Sequence, residues 1–293
     1  MIKKLFFATL LLGILAFTAC GQDNEMTTIR IGLTIDESNP VAGEAASRAL
    51  AQAMSEFIGM PVEPILDISY IIGIEAMRGG HLDIMLVSPF NYIRTSAVVD
   101  VEMLATLPLG GDVANHSAFI VCASRDDINS IDDLRGKTIA FVSPVSTSGF
   151  IFPQYHLVSE LGLNPHRIVH SGYFFDTVTF SGGHEASIMG VGFGDFDAAA
   201  IAAMFLDNMQ DRGLINAADF RIIDTTPPPP HPSYIIRSAI DAELIERIRE
   251  FFLQFDDPSY FAENWGDGNI RFTAPDLQGY AYVRSMVETL GLE

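Results

Sequence analysis

Three hydroxyl side chains in succession, Ser146, Thr147 and Ser148, stand between an apolar run that predicts a strand and a segment that predicts a helix. The start of a helix leaves several backbone N–H groups without acceptors, and the helix dipole makes that end positive. The hydroxyls can add donors at the same point, and Gly149 would let a ligand approach the backbone closely. The junction therefore predicts a cradle for an oxyanion. A simpler hypothesis, that one hydroxyl only caps the helix, accounts for one of the three residues.

His184, in the stretch GGHEAS, is a second candidate because it follows two glycines at a predicted helix start. Its imidazole can contact an anion there, or it can cap the helix and bond a neighbouring carbonyl. Glu185 beside it is better explained by the dipole of the first helical turn than by ligand binding. Ser88 ends an apolar run typical of a buried parallel strand, so we expect it at the carboxyl edge of a sheet, where such sheets bind ligands.

Two other chemistries fit the sequence less well. The imidazoles of His116, His184 and His231 could hold zinc in an exported lipoprotein, but the chain contains no CxxC spacing, and a zinc site would leave the hydroxyl triplet unexplained. Ser148 could serve an exported hydrolase as a nucleophile, but STSGF is not the GxSxG turn that such enzymes use. Both chemistries are therefore less favoured than the oxyanion cradle, and we expect neither a bound metal nor a cofactor.

The segments around these residues alternate between short apolar runs and amphipathic stretches, which is typical of an α/β protein with helices on both faces of its sheets. We predict two α/β lobes joined by a hinge, with a ligand cleft between them. Lobe one comprises residues 28–120 and 232–293, and lobe two comprises residues 121–231. Within lobe two, the stretch RIVHSG at 167–172 predicts a strand.

The N-terminal residues 1–19 have the charged and apolar regions of a signal peptide and lead into FTAC, which resembles a bacterial lipobox. We expect Cys20 to be lipidated and residues 20–27 to form a flexible tether. The protein would then be exported and held by its lipid alone, at the outer face of the cell membrane or in the periplasm. The alternative is an ordinary signal peptide with an incidental cysteine. With Cys20 lipidated, Cys122 has no disulfide partner, and its apolar neighbours predict a buried free thiol.

The formal charge of the chain is −20. Loss of Lys3 and Lys4 with the leader leaves 15 basic residues against 37 acidic ones, which gives −22. Such a charge excludes binding to nucleic acid or to anionic lipid surfaces through a basic field. An anion site in this protein must therefore depend on local donors and helix ends.

Three stretches of the chain resemble the periplasmic phosphonate/phosphite/phosphate-binding proteins of ABC importers. They are LRGKTIAFVSPVSTSGFIFPQYHL, GGHEASIMGVGFGDFDAAA and YIIGIEAMRGGHLDIMLVSPFNY. The resemblance implies the type II periplasmic-binding-protein fold, which agrees with the two predicted lobes, and it implies binding without catalysis. It also implies an ABC permease and its ATPase subunits as partners. We expect the protein itself to be a monomer.

The resemblance also implies roles for single residues. Ser146, Thr147 and Ser148 would hold the oxygens bound to phosphorus, Tyr70 matches a tyrosine that donates to the same group, and His184 matches a histidine that contacts the ligand. Two positions depart from the family pattern. His231 replaces an aspartate before Pro232, and His116 stands where some members have an aromatic residue. Each of these two histidines is either a ligand contact or an exposed loop residue.

A third departure shapes the expected ligand. Family members that bind aminoalkylphosphonates carry a glutamate for the ammonium group, whereas this chain has the apolar stretch AIAAMF there, with Met204 nearest. We therefore expect phosphite, phosphate or a short alkylphosphonate rather than 2-aminoethylphosphonate. A protein of the same fold that presents its ligand to a sensor instead of a permease is the remaining alternative.

Overall fold

The computed structural model describes residues 28–33, 40–66, 68–109 and 116–292. Within these ranges the chain forms two five-stranded sheets flanked by helices, which confirms the predicted α/β class. No helix in the described ranges combines the length and the apolarity that a membrane span requires. The predicted signal peptide, the lipidation site Cys20 and the tether at 20–27 lie outside the described residues.

The first sheet combines four strands from the N-terminal part of the chain with one late strand. These strands are β1 (Ile29–Leu33), β2 (Val62–Leu66), β3 (Ile84–Val87), β4 (Val101–Thr106) and β10 (Ser233–Arg237). Their order is β2-β1-β3-β10-β4. The strand β1 runs parallel to β2 and β3, and β10 runs antiparallel to β3 and β4. The chain therefore returns to this sheet after it has completed the second one.

The second sheet has the same design. Its strands are β5 (Ser117–Cys122), β6 (Thr138–Phe141), β7 (Thr177–Phe180), β8 (Ala198–Ala202) and β9 (Phe220–Thr225). Their order is β7-β6-β8-β5-β9. The strand β6 runs parallel to β7 and β8, while β5 runs antiparallel to β8 and β9. The strand β8 is buried along its whole length, and its five small or aliphatic residues allow helices to pack closely on it.

Helices follow most of the strands. Those in the described ranges are α1 (Pro40–Ile58), α2 (Tyr70–Arg78), α3 (Pro89–Ser96), α4 (Phe152–Leu161), α5 (His184–Phe193), α6 (Met204–Asp211), α7 (Ala242–Gln254), α8 (Pro258–Trp265) and α9 (Leu277–Leu290). A single π-helical turn, Thr147–Ile151, precedes α4. The helix α8 was not expected from the sequence, although it begins at Pro258 after the N-cap Asp257, and both residue types are common at helix starts.

The chain leaves the first sheet after Thr106 and enters the second at Ser117, and it leaves the second sheet after Thr225 and re-enters the first at Ser233. The expected boundary between residues 120 and 121 falls inside β5. This strand pairs with β8 on one side and with β9 on the other, which places the whole apolar strand within the second sheet. The division of the chain into two lobes stays a prediction.

The C-terminal helix α9 does not belong to the first sheet alone, where the sequence placed residues 232–293. Its apolar residues Val283, Met286 and Leu290 are buried in the same cluster as Phe141 and Phe152 of the second sheet's side. The helix also packs against α3. It therefore ties the two halves of the molecule together on one side.

Two local predictions are wrong. Residues 167–172 form turns rather than a strand. The backbone N–H of Ile168 donates to the carbonyl of Asn164, and the backbone N–H of His170 donates to the carbonyl of Arg167. The strand of this region is β7, which starts later at Thr177.

Cys122 is only half-buried, because it ends β5 at the surface, and its Sγ lies 3.2 Å from Ser124 Oγ.

A buried carboxylate fixes the centre of the first sheet. Asp83 is fully buried, and it accepts from the backbone N–H of Arg30 at 2.8 Å and from Arg30 Nε at 3.1 Å. Arg237, at the end of β10, also pairs with it. One carboxylate thus joins β1, the start of β3 and the returning strand β10, and removing it would leave two partly buried guanidinium groups without their partner.

We expect Asp83→Ala to lower the free energy of unfolding by about 3 kcal/mol, because breaking a buried ion pair costs far more than breaking an exposed one. The matched control is Glu75→Ala, which removes the exposed pair between Glu75 and Arg78 and should cost less than about 1 kcal/mol. Urea denaturation measures both. Equal losses for the two variants would contradict the role given to Asp83.

Candidate anion-binding cleft between the two sheets

A cavity of about 670 Å³ lies between the two sheets, at the carboxyl ends of their parallel strands. From the first sheet, Leu33 at the end of β1 and Ser88 after β3 line it. From the second sheet, Val142 after β6 and Met204 after β8 line it. The cavity therefore occupies the position where open α/β sheets bind ligands.

The starts of five helical segments meet at this cavity. The lining includes Ser69 before α2, Ser88 before α3, Ser146 before the π-helical turn, Gly183 before α5 and Met204 at the start of α6. The side chains of Ser69 and Ser88 make no capping hydrogen bond to their helices, and Gly183 has no side chain to do so. Helix starts carry unpaired N–H groups and a partial positive charge. Their convergence gives this acidic chain a local site for an anion.

The hydroxyl triplet lines the cavity, but its three side chains differ in their hydrogen bonds and burial. Ser146 Oγ accepts from the N–H of Gly149 at 3.0 Å, so it is the N-cap of the π-helical turn. Thr147 is buried, and its Oγ1 accepts from the N–H of Phe90 in α3 at 3.1 Å. A hydroxyl that accepts from an N–H keeps its own proton to donate. Both groups, with the partly exposed Ser148, can therefore donate to a ligand.

Gly149 serves packing rather than ligand approach. A Cβ at this position would lie 2.3 Å from Val142 Cγ2, so only glycine lets the turn pack against the end of β6. The turn is π-helical, because the N–H of Ile151 donates to the carbonyl of Ser146 at 3.0 Å. Such turns are uncommon and occur often at functional sites. The packing against Val142 thus accounts for the glycine, and the approach of a ligand to the backbone of Gly149 stays a prediction.

His184 is held as a neutral donor. Its Nδ1 accepts from the N–H of Ala202 at 3.1 Å, and its ring stacks on Phe205 with 4.3 Å between the centroids. Burial lowers the pKa of His184 to about 4, so the imidazole is neutral at neutral pH. Since Nδ1 accepts, the proton of the neutral ring is on Nε2. The residue lines the cavity.

Tyr70 and Ser88 line the same cavity from the first sheet. Desolvation raises the pKa of the Tyr70 phenol, which therefore remains protonated and able to donate. Ser88 Oγ accepts from Asn91 Nδ2 at 2.9 Å, and the same amide donates to the carbonyl of Val145 at 3.2 Å. Asn91 thus links the first sheet's side of the cleft to the segment that carries the hydroxyl triplet.

His116 and His231 do not line the cavity and lie at the two crossings. His116 Nδ1 lies 2.8 Å from the carbonyl of Thr226, and the N–H of Leu109 donates to His231 Nδ1 at 3.1 Å. Each ring therefore joins one crossing segment to the other. Within the part of the chain that the structure describes, no three His, Cys, Asp or Glu side chains are grouped to hold a metal ion, so the zinc hypothesis lacks the cluster that it needs.

The cavity also contains charged residues that the sequence analysis did not place there. Glu185 lines it beside His184, although the sequence favoured a helix-dipole role for Glu185 over one in ligand binding. Arg212 lines it at the end of α6, although the site was expected to depend on local donors and helix ends. Met204 also lines the cavity. In the sequence it was the residue nearest to the position where aminoalkylphosphonate-binding members carry a glutamate. The available signal was helical spacing, since Met204, Asn208 and Arg212 recur every four residues on one face of α6.

Comparison with known proteins gives a consistent result. The sequence profile of a family described as ABC transporter, phosphonate, periplasmic substrate-binding protein matches residues 33–280. The phosphate-import protein PhnD of Mycolicibacterium smegmatis is 26% identical over 280 residues, which cover 89% of this chain and 84% of that protein. The tetrathionate sensor histidine kinase TtrS of Salmonella typhimurium is 24% identical over 247 residues, which cover 76% of this chain but only 39% of the kinase.

A solved structure shares the fold. PhnD1 of Prochlorococcus marinus, in complex with methylphosphonate, aligns with a TM-score of 0.73 at 19% identity and covers 90% of this chain and 98% of its own. The two sheets are thus arranged as in type II periplasmic binding proteins, which confirms the predicted fold. With the family profile matching most of its length, the chain belongs to the periplasmic phosphonate substrate-binding proteins of ABC transporters, which bind their ligands without catalysis.

Proposed function

We propose that this protein is the lipid-anchored substrate-binding protein of an ABC importer and that its two lobes close around a small phosphorus oxyanion. The ligand would be phosphite, phosphate or a short alkylphosphonate, delivered by a monomer to the permease and its ATPase subunits. The observation that carries the proposal is the convergence of five helix starts on one cavity of an acidic protein. Helix starts bind anions without a basic side chain.

The donors around these helix starts suit a tetrahedral oxyanion. Ser146 and Thr147 each accept one backbone N–H, so each hydroxyl can direct its proton to the ligand. His184 Nε2 and the Tyr70 phenol add neutral donors from opposite sides of the cleft. Phosphorus oxyanions carry several acceptor oxygens, which such a set can bond in fixed geometry.

Two relatives support this class of ligand. One is named as a phosphate importer, and the other was solved with methylphosphonate. Against a 2-aminoethylphosphonate ligand stands Met204, a buried thioether with no charge to offer an ammonium group. Glu185 is the competing feature, because its carboxylate also lines the cavity. The order of affinities among ligands therefore decides between these classes.

Calorimetry with phosphate, phosphite, methylphosphonate, 2-aminoethylphosphonate and sulfate tests the proposal. We expect one of the first three to bind most tightly, because the cavity combines donors for an oxyanion with the uncharged Met204. The variant Ser146→Ala/Thr147→Ala should weaken that binding by more than about tenfold, since each hydrogen bond to a charged group contributes roughly 1.5–3 kcal/mol.

The matched control is Ser285→Ala/Thr289→Ala, which removes the same two hydroxyls from exposed positions of α9, where they bond only helix carbonyls. Its affinity should equal that of the wild type. Tightest binding of 2-aminoethylphosphonate would overturn the ligand class, and an unchanged affinity of the Ser146/Thr147 variant would overturn the oxyanion cradle.

The neutral state of His184 has its own test. The ring should begin to take up a proton only as the pH falls toward 4, whereas an unfolded histidine titrates near 6.5. The unfolded state therefore binds more protons between these values, and the free energy of unfolding should fall as the pH drops from 6.5 to 4. NMR titration of the histidine ring protons measures the pKa directly, with His184→Gln to assign the signal. A midpoint near 6.5 would contradict the neutral donor.

The lipid anchor rests on the lipobox-like FTAC alone. We expect the wild-type protein to partition with the cell membrane and Cys20→Ala to be released in soluble form, because the thioether of Cys20 would carry the lipid. Fractionation followed by immunoblotting measures this. Equal partitioning of the two proteins would indicate an ordinary signal peptide or a different anchor.

A further inference from the structure

We propose that Asn91, which does not line the cleft itself, is a positioning residue for anion binding. Its side-chain amide would direct the proton of the Ser88 hydroxyl and hold the hydroxyl triplet against the first sheet's side of the cleft. The inference rests on the proposed function, because it assumes that an oxyanion binds among these hydroxyls. It adds to that function a buried residue that acts on the ligand only through its neighbours.

Asn91 is fully buried in the first turn of α3. Its Nδ2 lies 2.9 Å from Ser88 Oγ and 3.2 Å from the carbonyl oxygen of Val145. Both partners belong to residues that line the cleft, and they come from opposite halves of the molecule. The nitrogen of a side-chain amide carries two N–H donors. Asn91 therefore uses both of them behind the cleft, one toward each half.

The carbonyl of Val145 decides which way round the Asn91 amide lies. A carbonyl oxygen can only accept, so the atom that faces it must be Nδ2 and not Oδ1. In that orientation Ser88 Oγ accepts from the same amide. The serine hydroxyl then keeps its own proton, which it can donate to a ligand in the cleft. A group of the second half thus sets the hydrogen bonding of Ser88 in the first half, through Asn91.

The same turn of α3 also fixes the position of the hydroxyl triplet. The backbone N–H of Phe90 donates to Thr147 Oγ1 at 3.1 Å, next to the bond between Asn91 and Val145. Ser146 lies between these two tethered residues, and its Oγ caps the π-helical turn. Loss of the Asn91 amide would remove one of the two tethers and so loosen the placement of Ser146 relative to the first sheet's side of the cleft.

A buried amide can also serve stability alone, and Gln154 of α4 offers the comparison. Its side chain is buried, its Nε2 donates to the carbonyl of Pro165 at 2.9 Å, and it does not line the cleft. Within the described ranges, the side-chain oxygens of both Asn91 and Gln154 are buried without a hydrogen-bond partner. An unpaired oxygen is therefore not what distinguishes Asn91. The difference is that both acceptors of Asn91 belong to the lining of the cleft.

Asn91→Asp tests the proposal, because it keeps the shape of the side chain and removes the pair of N–H donors. An ionised carboxylate can only accept, and a protonated one has a single O–H to donate, so neither can serve Ser88 and Val145 together. Calorimetry should use the anion among phosphate, phosphite and methylphosphonate that the wild type binds most tightly. We expect its affinity to fall more than about tenfold, the loss that corresponds to one hydrogen bond to a charged ligand.

The matched control is Gln154→Glu, which makes the same change in a buried amide whose acceptor lies outside the cleft lining. Urea denaturation should show a loss of stability in both variants, whereas only Asn91→Asp should lose affinity for the anion. If Asn91→Asp does not fold, Asn91→Ser takes its place, because one hydroxyl cannot donate to two acceptors. The same loss of affinity is expected for it.

A double-mutant cycle with Ser88→Ala tests whether Asn91 acts through Ser88. The loss caused by Asn91→Asp should be at least about threefold smaller in the Ser88→Ala background, because the hydroxyl that Asn91 directs is then absent. The role of Asn91 is refuted, while the proposed function stands, if its variant binds like the wild type, if Gln154→Glu loses as much affinity, or if the loss is equal in both backgrounds. If the wild type binds none of the three anions, the proposed function fails and the inference fails with it.

Discussion

The structure depends on one constraint, which is that the backbone N–H groups at a helix start have no acceptor within the helix. Five helical segments begin at the carboxyl ends of the two sheets, and all of these starts border the same cavity. A chain with a formal charge of −20 repels an anion at long range. Fixed N–H groups at short range would offset that repulsion for an anion in the cleft, because the attraction grows as the distance shortens.

Side chains around these helix starts add further hydrogen-bond donors to the backbone N–H groups. Ser146 and Thr147 use their oxygens to accept backbone N–H groups, which leaves their protons as donors. His184 uses Nδ1 as an acceptor from Ala202, so its proton is on Nε2. Each group thereby keeps a proton that it can donate before a ligand arrives. Such preorganisation would lower the entropic cost of binding an anion.

The two halves of the molecule are joined by specific contacts as well as by the two crossing segments. Thr147 accepts from Phe90, and Asn91 donates to Val145, so α3 of the first half touches the hydroxyl segment of the second. His116 and His231 each join one crossing segment to the other. A ligand bound at the hydroxyl triplet, as we propose, would therefore lie beside the contacts that join the two halves.

The sequence by itself determined the features that depend on neighbours along the chain. The strand-to-helix junction at Ser146, the apolar strand β8 and the start of α5 at His184 are local patterns, and the structure contains all three. Ser146 and His184 line the cleft. It could not place His116 or His231, since their partners are more than a hundred residues away. Nor could it bring Glu185 and Arg212 into the cavity, or show that residues 167–172 turn. Those outcomes depend on how two sheets face each other, and only the folded chain decides which distant groups satisfy one another's hydrogen bonds.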